Sequence, residues 1–336
     1  MENISTEQLI QEFMKKSKLD RARKGMLSFV CNERIIQRCE NELGTEFIKM
    51  NYEQFLYVIS AICDAREKSV YAISYEMYYT IYRVVSQLVL YYSQNICPIK
   101  NPFLDANTPI AFNEYLKNHR RFSKKDYEGM IAKIHQNYDG NFADYLELIL
   151  QMFYCGFQKP EEFLKLKKEN INFNSRTIII DGHKILLSKR CAELLMKFEY
   201  IDSITNFSPK NCYTCRLTPW RGSYFKIYLR EKTALTLNDK PINLAAMDYI
   251  SKIFITHIAK GDYAGVKYST ITLFGFYEFC VAKIGEDEMA TILKANSSVK
   301  SKGMFMDLFN EYDYKTSLNP SRVKTTLRTF LPKELL

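Results

Sequence analysis

The sequence predicts a mainly helical protein with a small β-sheet, arranged as two domains. Three features carry this expectation. Breakers are few, with 12 Gly and 9 Pro in 336 residues, and apolar residues recur at helical spacing over most of the chain. One short stretch, residues 177–187, changes to β-type residues around an Asp-Gly pair. Three prolines, Pro98, Pro102 and Pro109, gather between two helical regions, and a residue before proline is pushed toward extended geometry. The length is comfortable for two domains, and 47% hydrophobic with 25% charged residues supplies real cores.

The first domain, residues 1–108, reads as helices. Ser5 caps a helix carrying Leu9, Ile10 and Phe13. The end of that helix and the segment after it are basic: Lys15, Lys16, Lys18, Arg21, Arg23 and Lys24. Such a cluster is either the solvated face of two helices or a phosphate-contacting surface, and the charges alone favour neither. Residues 51–63 are amphipathic. Residues 74–93 have the strongest period, with Tyr78, Ile81, Tyr82, Val85, Leu88, Val89 and Tyr92 on one stripe. So aromatic a stripe reads as core in preference to a base-stacking surface. The run from Pro98 to Phe103 ends the helix, and the linker falls within residues 100–112.

The second domain, residues 109–336, opens with a segment ending in Arg120 and Arg121. Ser123 then caps a helix in which Lys124, Lys125 and Asp126 precede Tyr127, Met130, Ile131 and Ile134. Residues 144–157 are apolar enough for a buried helix. Thr177 to Ile180, a turn at Asp181-Gly182, and Ile185 to Leu187 read as a hairpin. Ser188 caps a helix carrying Cys191, Leu194, Leu195 and Phe198. Further helices are expected over residues 243–258, 271–284, 287–293 and 303–312. Between them, residues 206–239 form an insertion rich in Arg and aromatics, among them Arg216, Trp220, Arg221, Tyr224, Phe225, Tyr228 and Arg230. It is either a surface for DNA or a partner, or a β-hairpin on its own domain.

A net charge of +9 suits a polyanionic partner without proving one. The four His leave little material for imidazole chemistry. The nine Cys are odd in number and the first residues are polar, which predicts reduced thiols in a cytoplasm. No apolar run approaches the length of a membrane span. Cys212-Tyr213-Thr214-Cys215 is a lone Cys-x-x-Cys. Zinc wants four ligands, and a redox pair wants a neighbouring βαβ unit, so two ordinary thiols are expected. No metal and no cofactor follow from these residues.

Several short motifs stand in a telling order. Asn101-Pro102-Phe103 lies at the domain junction. The stretch from Phe153 reads Tyr154-Cys155-Gly156-Phe157-Gln158-Lys159-Pro160-Glu161, running on to Leu164 and Leu166. Lys184 sits on the hairpin, and Leu187-Ser188 follows it. Thr270-Ile271-Thr272-Leu273-Phe274 precedes an apolar helix, and Lys294-Ala295-Asn296-Ser297-Ser298 comes later. This order resembles the tyrosine recombinase (phage integrase) family over nearly the whole layout. The resemblance implies a core-binding helical domain and a catalytic domain that together clamp a DNA duplex. It also implies that the ionic centre is lost. Gln158 stands at the first arginine position of Gly-x-Arg-x-x-Glu, and Lys184 at the hairpin lysine. Thr270 or Ile271 stands at the histidine of His-x-x-Arg, and Leu273 or Phe274 at its arginine. Asn296 replaces the histidine of Leu-Gly-His-Ser-Ser. Counting on to the nucleophilic tyrosine lands on Phe305, with Tyr312 and Tyr314 the nearest alternatives, further along the chain.

Strand cleavage puts negative charge on phosphoryl oxygens, and paired arginines stabilise it through a planar fork of donors. Loss of one such donor costs about 2.7–4 kcal/mol of transition-state stabilisation, so loss of both arginines, a histidine and the nucleophile leaves essentially nothing. Between Lys232 and Asn319 the chain has no Arg at all, whatever the register. The expectation is a sequence-specific regulator that binds double-stranded DNA and is not an enzyme, similar in role to recombinase-derived phage lysogeny repressors. Its DNA-binding residues are drawn from Lys15, Lys16, Lys18, Arg21, Arg23, Lys24, Arg83, Arg120, Arg121, Lys124, Lys125, Lys159 and Lys184, with Lys165, Lys167 and Lys168 nearby. Two rivals stand beside it: an active recombinase using Tyr312 or Tyr314, and an accessory protein that binds a partner through the insertion. The tail, with Arg322, Lys324, Arg328, Phe330, Leu331, Leu335 and Leu336, either docks on a second copy or packs on itself. A small protein antagonist is a further expected partner, and a membrane is not.

Overall fold

A computed structural model of the chain describes residues 5–67, 71–104, 107–208, 211–219, 223–229, 245–295, 299–314 and 319–335. The chain is mainly helical, with small antiparallel sheets, and divides into two compact units, Met1–Arg121 and Phe122–Leu335.

In the first unit, α1 (Thr6–Lys16) starts with reciprocal bonds between Ser5 and Gln8. The Asp20 carboxylate caps α2 (Arg21–Asn32) by accepting the Arg23 N–H. α3 (Ile35–Leu43), α4 (Tyr52–Glu67) and α5 (Tyr75–Asn95) follow. Tyr78, Ile81, Tyr82, Val85, Leu88, Val89 and Tyr92 of α5 are all buried, so the aromatic stripe is core.

The first unit also takes α6 (Thr108–Lys117), and the expected boundary at residue 108 shifts to residue 121. Pro109 breaks nothing here: it lies in the first turn of α6, where a missing N–H costs no bond, and Asn107 caps that turn. Phe112 then packs against Tyr75 and Tyr78, with 5.2 Å between centroids in both pairs. Beyond α6, His119 stacks on Tyr115 and hydrogen-bonds Asp64 of α4. The Arg120 carbonyl accepts the Ala72 N–H at 2.6 Å. These contacts hold the chain to the first unit as far as Arg121.

The second unit is built around α8 (Gly140–Tyr154), which is buried on nearly every side. α7 (Lys124–Asn137) precedes it, with Ser123 and Asp126 forming its capping box. A short α9 (Pro160–Lys165) follows the Gly156 turn. The first sheet has the order β1 (Ile171–Asn172), β2 (Thr177–Ile180), β3 (His183–Leu186). Its hairpin turn has φ of 51° at Asp181 and 81° at Gly182, as a tight Asp-Gly turn requires. Ser188 caps α10 (Lys189–Glu199). A second antiparallel sheet, β4 (Ser203–Ser208), β5 (Asn211–Pro219) and β6 (Lys226–Leu229), takes up the first part of the predicted insertion. Strand β5 carries Cys212 and Cys215, whose side chains lie outside the described residues, as do Trp220, Arg221 and Arg230. Then come α11 (Ala245–Ile253), a π-helical turn over Phe254–Ile258, α12 (Tyr268–Ile284), α13 (Glu286–Lys294), α14 (Val299–Glu311) and α15 (Pro320–Leu327).

Two contacts fix the helices around α8. The nearly buried Glu147 accepts bonds from His135 of α7 at 2.7 Å and from Arg190 of α10 at 2.9 and 2.7 Å. Burial alone would raise the Glu147 carboxyl, but these donors outweigh it and hold it below its ordinary range. Asp144 joins the group through Arg190 and Lys197. Although His135, Asp144 and Glu147 bring ligand atoms within 4.8 Å of one another, cationic side chains already engage both carboxylates.

The second contact is the passage of α12 over α8. A Cβ placed on Gly275 would lie 1.8 Å from the Tyr154 carbonyl oxygen, so only glycine permits this approach. The tail is packed inside its own unit: Val323, Leu327, Phe330 and Leu331 are buried, and Phe330 touches Phe274 and Tyr277. Of the two readings of the tail, this packing is the self-packed one. Lys324 and Arg328 donate to the carbonyls of Ala295 and Leu293 and so cap the end of α13.

Gly275→Ala should lower the unfolding stability of the chain by at least about 2 kcal/mol in urea, because the backbone carbonyl it meets cannot rotate away. A change under about 0.5 kcal/mol, the size of an ordinary surface substitution, would contradict the packing described.

Candidate nucleic-acid interface

The exposed cations fall into two classes. Lys15, Lys18, Arg21 and Lys24 surround the α1–α2 junction, are exposed, and form no ion pair among the described residues. In the same region Lys16 is bonded to Glu12 at 3.0 Å, and Arg23 lies 3.4 Å from Asp20. In the second unit Lys124 and Lys125 stand exposed on the first turn of α7, Lys159 at the start of α9, and Lys184 on β3; none forms a salt bridge among the described residues, although Lys124 acts on the Glu278 carboxylate and Lys159 on that of Glu162. By contrast Lys165 pairs with Asp181 at 2.6 Å, Lys167 lies 3.9 Å from Glu169, and Lys168 pairs with Glu199.

Exposed ion pairs are worth about 0–1 kcal/mol, so pairing does not bar a phosphate contact. It does leave a carboxylate beside the incoming anion. The bare cations are therefore the stronger phosphate contacts. Three predicted arginines are engaged otherwise: Arg83 lies over the Tyr79 ring at 5.7 Å, Arg120 over Tyr71 at 4.8 Å, and Arg121 is half-buried.

The positions that the resemblance assigns to the recombinase centre all lie in the second unit. Gln158 follows the Gly156 turn, and its N–H donates to Glu162 at 2.6 Å. Thr270 lies in the first turn of α12. Leu273 and Phe274 are buried, and the Phe274 ring packs among Phe122, Tyr127, Tyr154 and Phe330. Phe305 of α14 is buried against Phe276 and Phe309. Asn296 lies outside the described residues.

The two rival nucleophiles belong to the same aromatic mass. Tyr314 is stacked on Phe276 at 5.0 Å and 12°. Tyr312 packs on Phe276 and Phe279, and its hydroxyl lies 3.4 Å from the Tyr154 carbonyl. Gly156, at φ 116°, makes room for that hydroxyl: a Cβ there would meet it at 3.2 Å. Burial pushes both phenols well above the ordinary tyrosine range. A nucleophile needs the opposite, a hydroxyl exposed to substrate and easily deprotonated.

One pair of site residues escaped the sequence analysis. Asp313, in the left-handed region at φ 54°, accepts the Lys184 N–H at 2.6 Å and bonds His183 Nδ1 at 3.2 Å. It clips the Tyr312–Tyr314 turn to the hairpin that carries Lys184. A single aspartate between two tyrosines, 129 positions from its partner, has no sequence signature.

No family model and no curated protein matches the chain. Among solved structures it is similar to the Tn1549 transposon integrase in complex with transposon right end DNA, at 13% identity and a TM-score of 0.37, covering 97% of this chain and 95% of that one. It is also similar to the same integrase in complex with circular intermediate DNA, at 12% identity and a TM-score of 0.37, covering 95% of this chain and 97% of that one. Among the described residues, no helix is long and apolar enough to cross a membrane.

If the bare cations contact phosphates, Lys18→Met and Lys184→Met should each reduce the slope of log affinity for duplex DNA against log salt by about 0.9. Lys16→Met should reduce it less, because Glu12 already offsets part of that charge. Equal slopes for all three variants and the unmodified chain, read by fluorescence anisotropy, would contradict the assignment.

Proposed function

We propose that this chain is a sequence-specific binder of double-stranded DNA that regulates transcription, built on a recombinase-like layout that no longer cuts. In a phage or mobile element it would hold lytic genes silent as a repressor. The observation that carries this reading is that Leu273, Phe274 and Phe305 are buried apolar residues packed among rings, at positions where the resemblance calls for ionic or nucleophilic groups. Where the resembling family needs cationic donors and an exposed tyrosine, the chain has Gln158, Leu273 or Phe274, and Phe305. Transition-state charge on a phosphoryl group finds no fixed guanidinium at these positions.

Binding asks for less than cutting. It needs cations reaching phosphates for affinity and a few side chains at base edges for sequence. Bare lysines and arginines remain on both units, so the polyanion affinity of such a layout survives the loss of its chemistry. No cofactor enters this function.

The test is a native gel with labelled fragments tiling the genome that encodes the chain, at low and near-physiological salt. The reading predicts a shift confined to a few fragments, with affinity falling steeply as salt rises. No shift on any fragment would sink it, and would turn attention to a protein partner.

A further inference from the structure

Away from the aromatic centre, a second cluster of polar groups forms where α7 ends. Tyr138, the C-cap of α7, hydrogen-bonds His257 Nδ1 at 2.9 Å, and His257 projects from the π-helical turn over Phe254–Ile258. Single π-helical turns are rare and recur at functional sites. The Lys260 ammonium donates to the same Tyr138 hydroxyl at 2.7 Å and lies over its ring at 4.6 Å. Phe142 closes the cluster edge-on, 5.1 Å from Tyr138 and 5.5 Å from His257.

Burial, with Lys260 beside it, lowers His257 to about 4, so the imidazole is neutral at physiological pH. The Tyr138 oxygen accepts from the ammonium and shares one hydrogen bond with His257 Nδ1, whose proton sits on one or the other according to the tautomer. The arrangement holds a cation and does not make a nucleophile: a base with a pKa so low has little capacity to take a phenolic proton.

Lys260 is half-buried, and its only polar partner among the described residues is the Tyr138 hydroxyl. The nearby carboxylate, Asp262, lies 3.5 Å from Lys133. A partly desolvated ammonium with only uncharged partners is an unusual thing to keep, since charge taken from water is normally matched by an opposite charge. The side-chain entropy of placing it, up to about 2 kcal/mol for a lysine, is already spent before any anion arrives. A compact, ordered ammonium is a good point contact for a phosphate oxygen.

We propose that Lys260, fixed by Tyr138 and His257, is a preset contact for a backbone phosphate of duplex DNA. This rests on the DNA-binding reading above. Its place along α7 fits a duplex. The exposed Lys124 and Lys125 mark the start of that helix and Tyr138 its end, about 21 Å away at 1.5 Å per residue. A duplex covers that distance in about six base pairs. Tyr138 and His257 act through Lys260 and are positioning residues.

The experiment measures binding of the full chain to a labelled duplex across a salt series, with Lys260→Met and Tyr138→Phe variants whose melting curves match the unmodified chain. Lys260→Met should lower the log–log slope by about 0.9 and weaken binding about three- to tenfold at low salt. Tyr138→Phe keeps the charge and the ring, so the slope should persist while affinity falls about two- to threefold. A Lys260→Met variant with the slope and affinity of the unmodified chain would overturn the proposal and leave the DNA-binding reading standing. If the unmodified chain binds no duplex, that broader reading fails by itself. Inorganic pyrophosphate then decides the site: a shift of the His257 ring resonances on titration, absent in Lys260→Met, supports it, and no shift overturns it.

Discussion

The close passage of α12 across α8 at Gly275 sets the character of the second unit. A side chain of any size at that position would strike the Tyr154 carbonyl, so the two helices meet at backbone distance. The residues on either side of Gly275 then face opposite ways. Phe274 enters a group containing Phe122, Tyr127, Tyr154 and Phe330. Phe276 enters another, with Phe305, Phe309, Tyr312 and Tyr314. Aromatic pairs add about 0.5–1.5 kcal/mol each beyond the area they bury. The second group alone ties α12, α14 and the Tyr312–Tyr314 turn into one block. Asp313 carries that block to the hairpin by bonding His183 and the Lys184 N–H.

That packing has a chemical consequence. Charged groups within such a block would lose hydration, and only close partners would repay the loss. Rings and aliphatic side chains carry no such penalty, and they fill this block. The surface carries no such constraint. Lys15, Lys18, Arg21, Lys24, Lys125 and Lys184 are exposed and their side chains form no ion pair among the described residues, which leaves the surface locally positive.

Much of the fold was legible because its local signals are strong. Ser5, Ser123 and Ser188 cap the helices expected of them, and Asp181-Gly182 makes the hairpin turn. The domain boundary was misplaced because Pro109 reads as a breaker, although in the first turn of a helix proline is well tolerated. The second sheet was left as one of two readings, since Arg and aromatic residues suit a strand and a binding surface equally. At the site, the apolar character of Leu273, Phe274 and Phe305 and their burial agree, since such side chains leave water when a helix packs. The inward direction of Tyr312 and Tyr314, the Asp313 clip and the Tyr138–His257–Lys260 cluster could not be read from the sequence, because each depends on contacts between residues far apart in it. Lys260 looked like any surface lysine until the π-helical turn placed His257 beside Tyr138.

The central claim is that the chain holds DNA without breaking it. It is tested most directly by taking a fragment that the chain binds, introducing nicks that would trap a covalent intermediate, and running the mixture on a denaturing gel. The account predicts that all of the DNA migrates free of protein. A protein-linked band that survives denaturant, and disappears in Tyr312→Phe or Tyr314→Phe, would contradict it and make this chain a working recombinase.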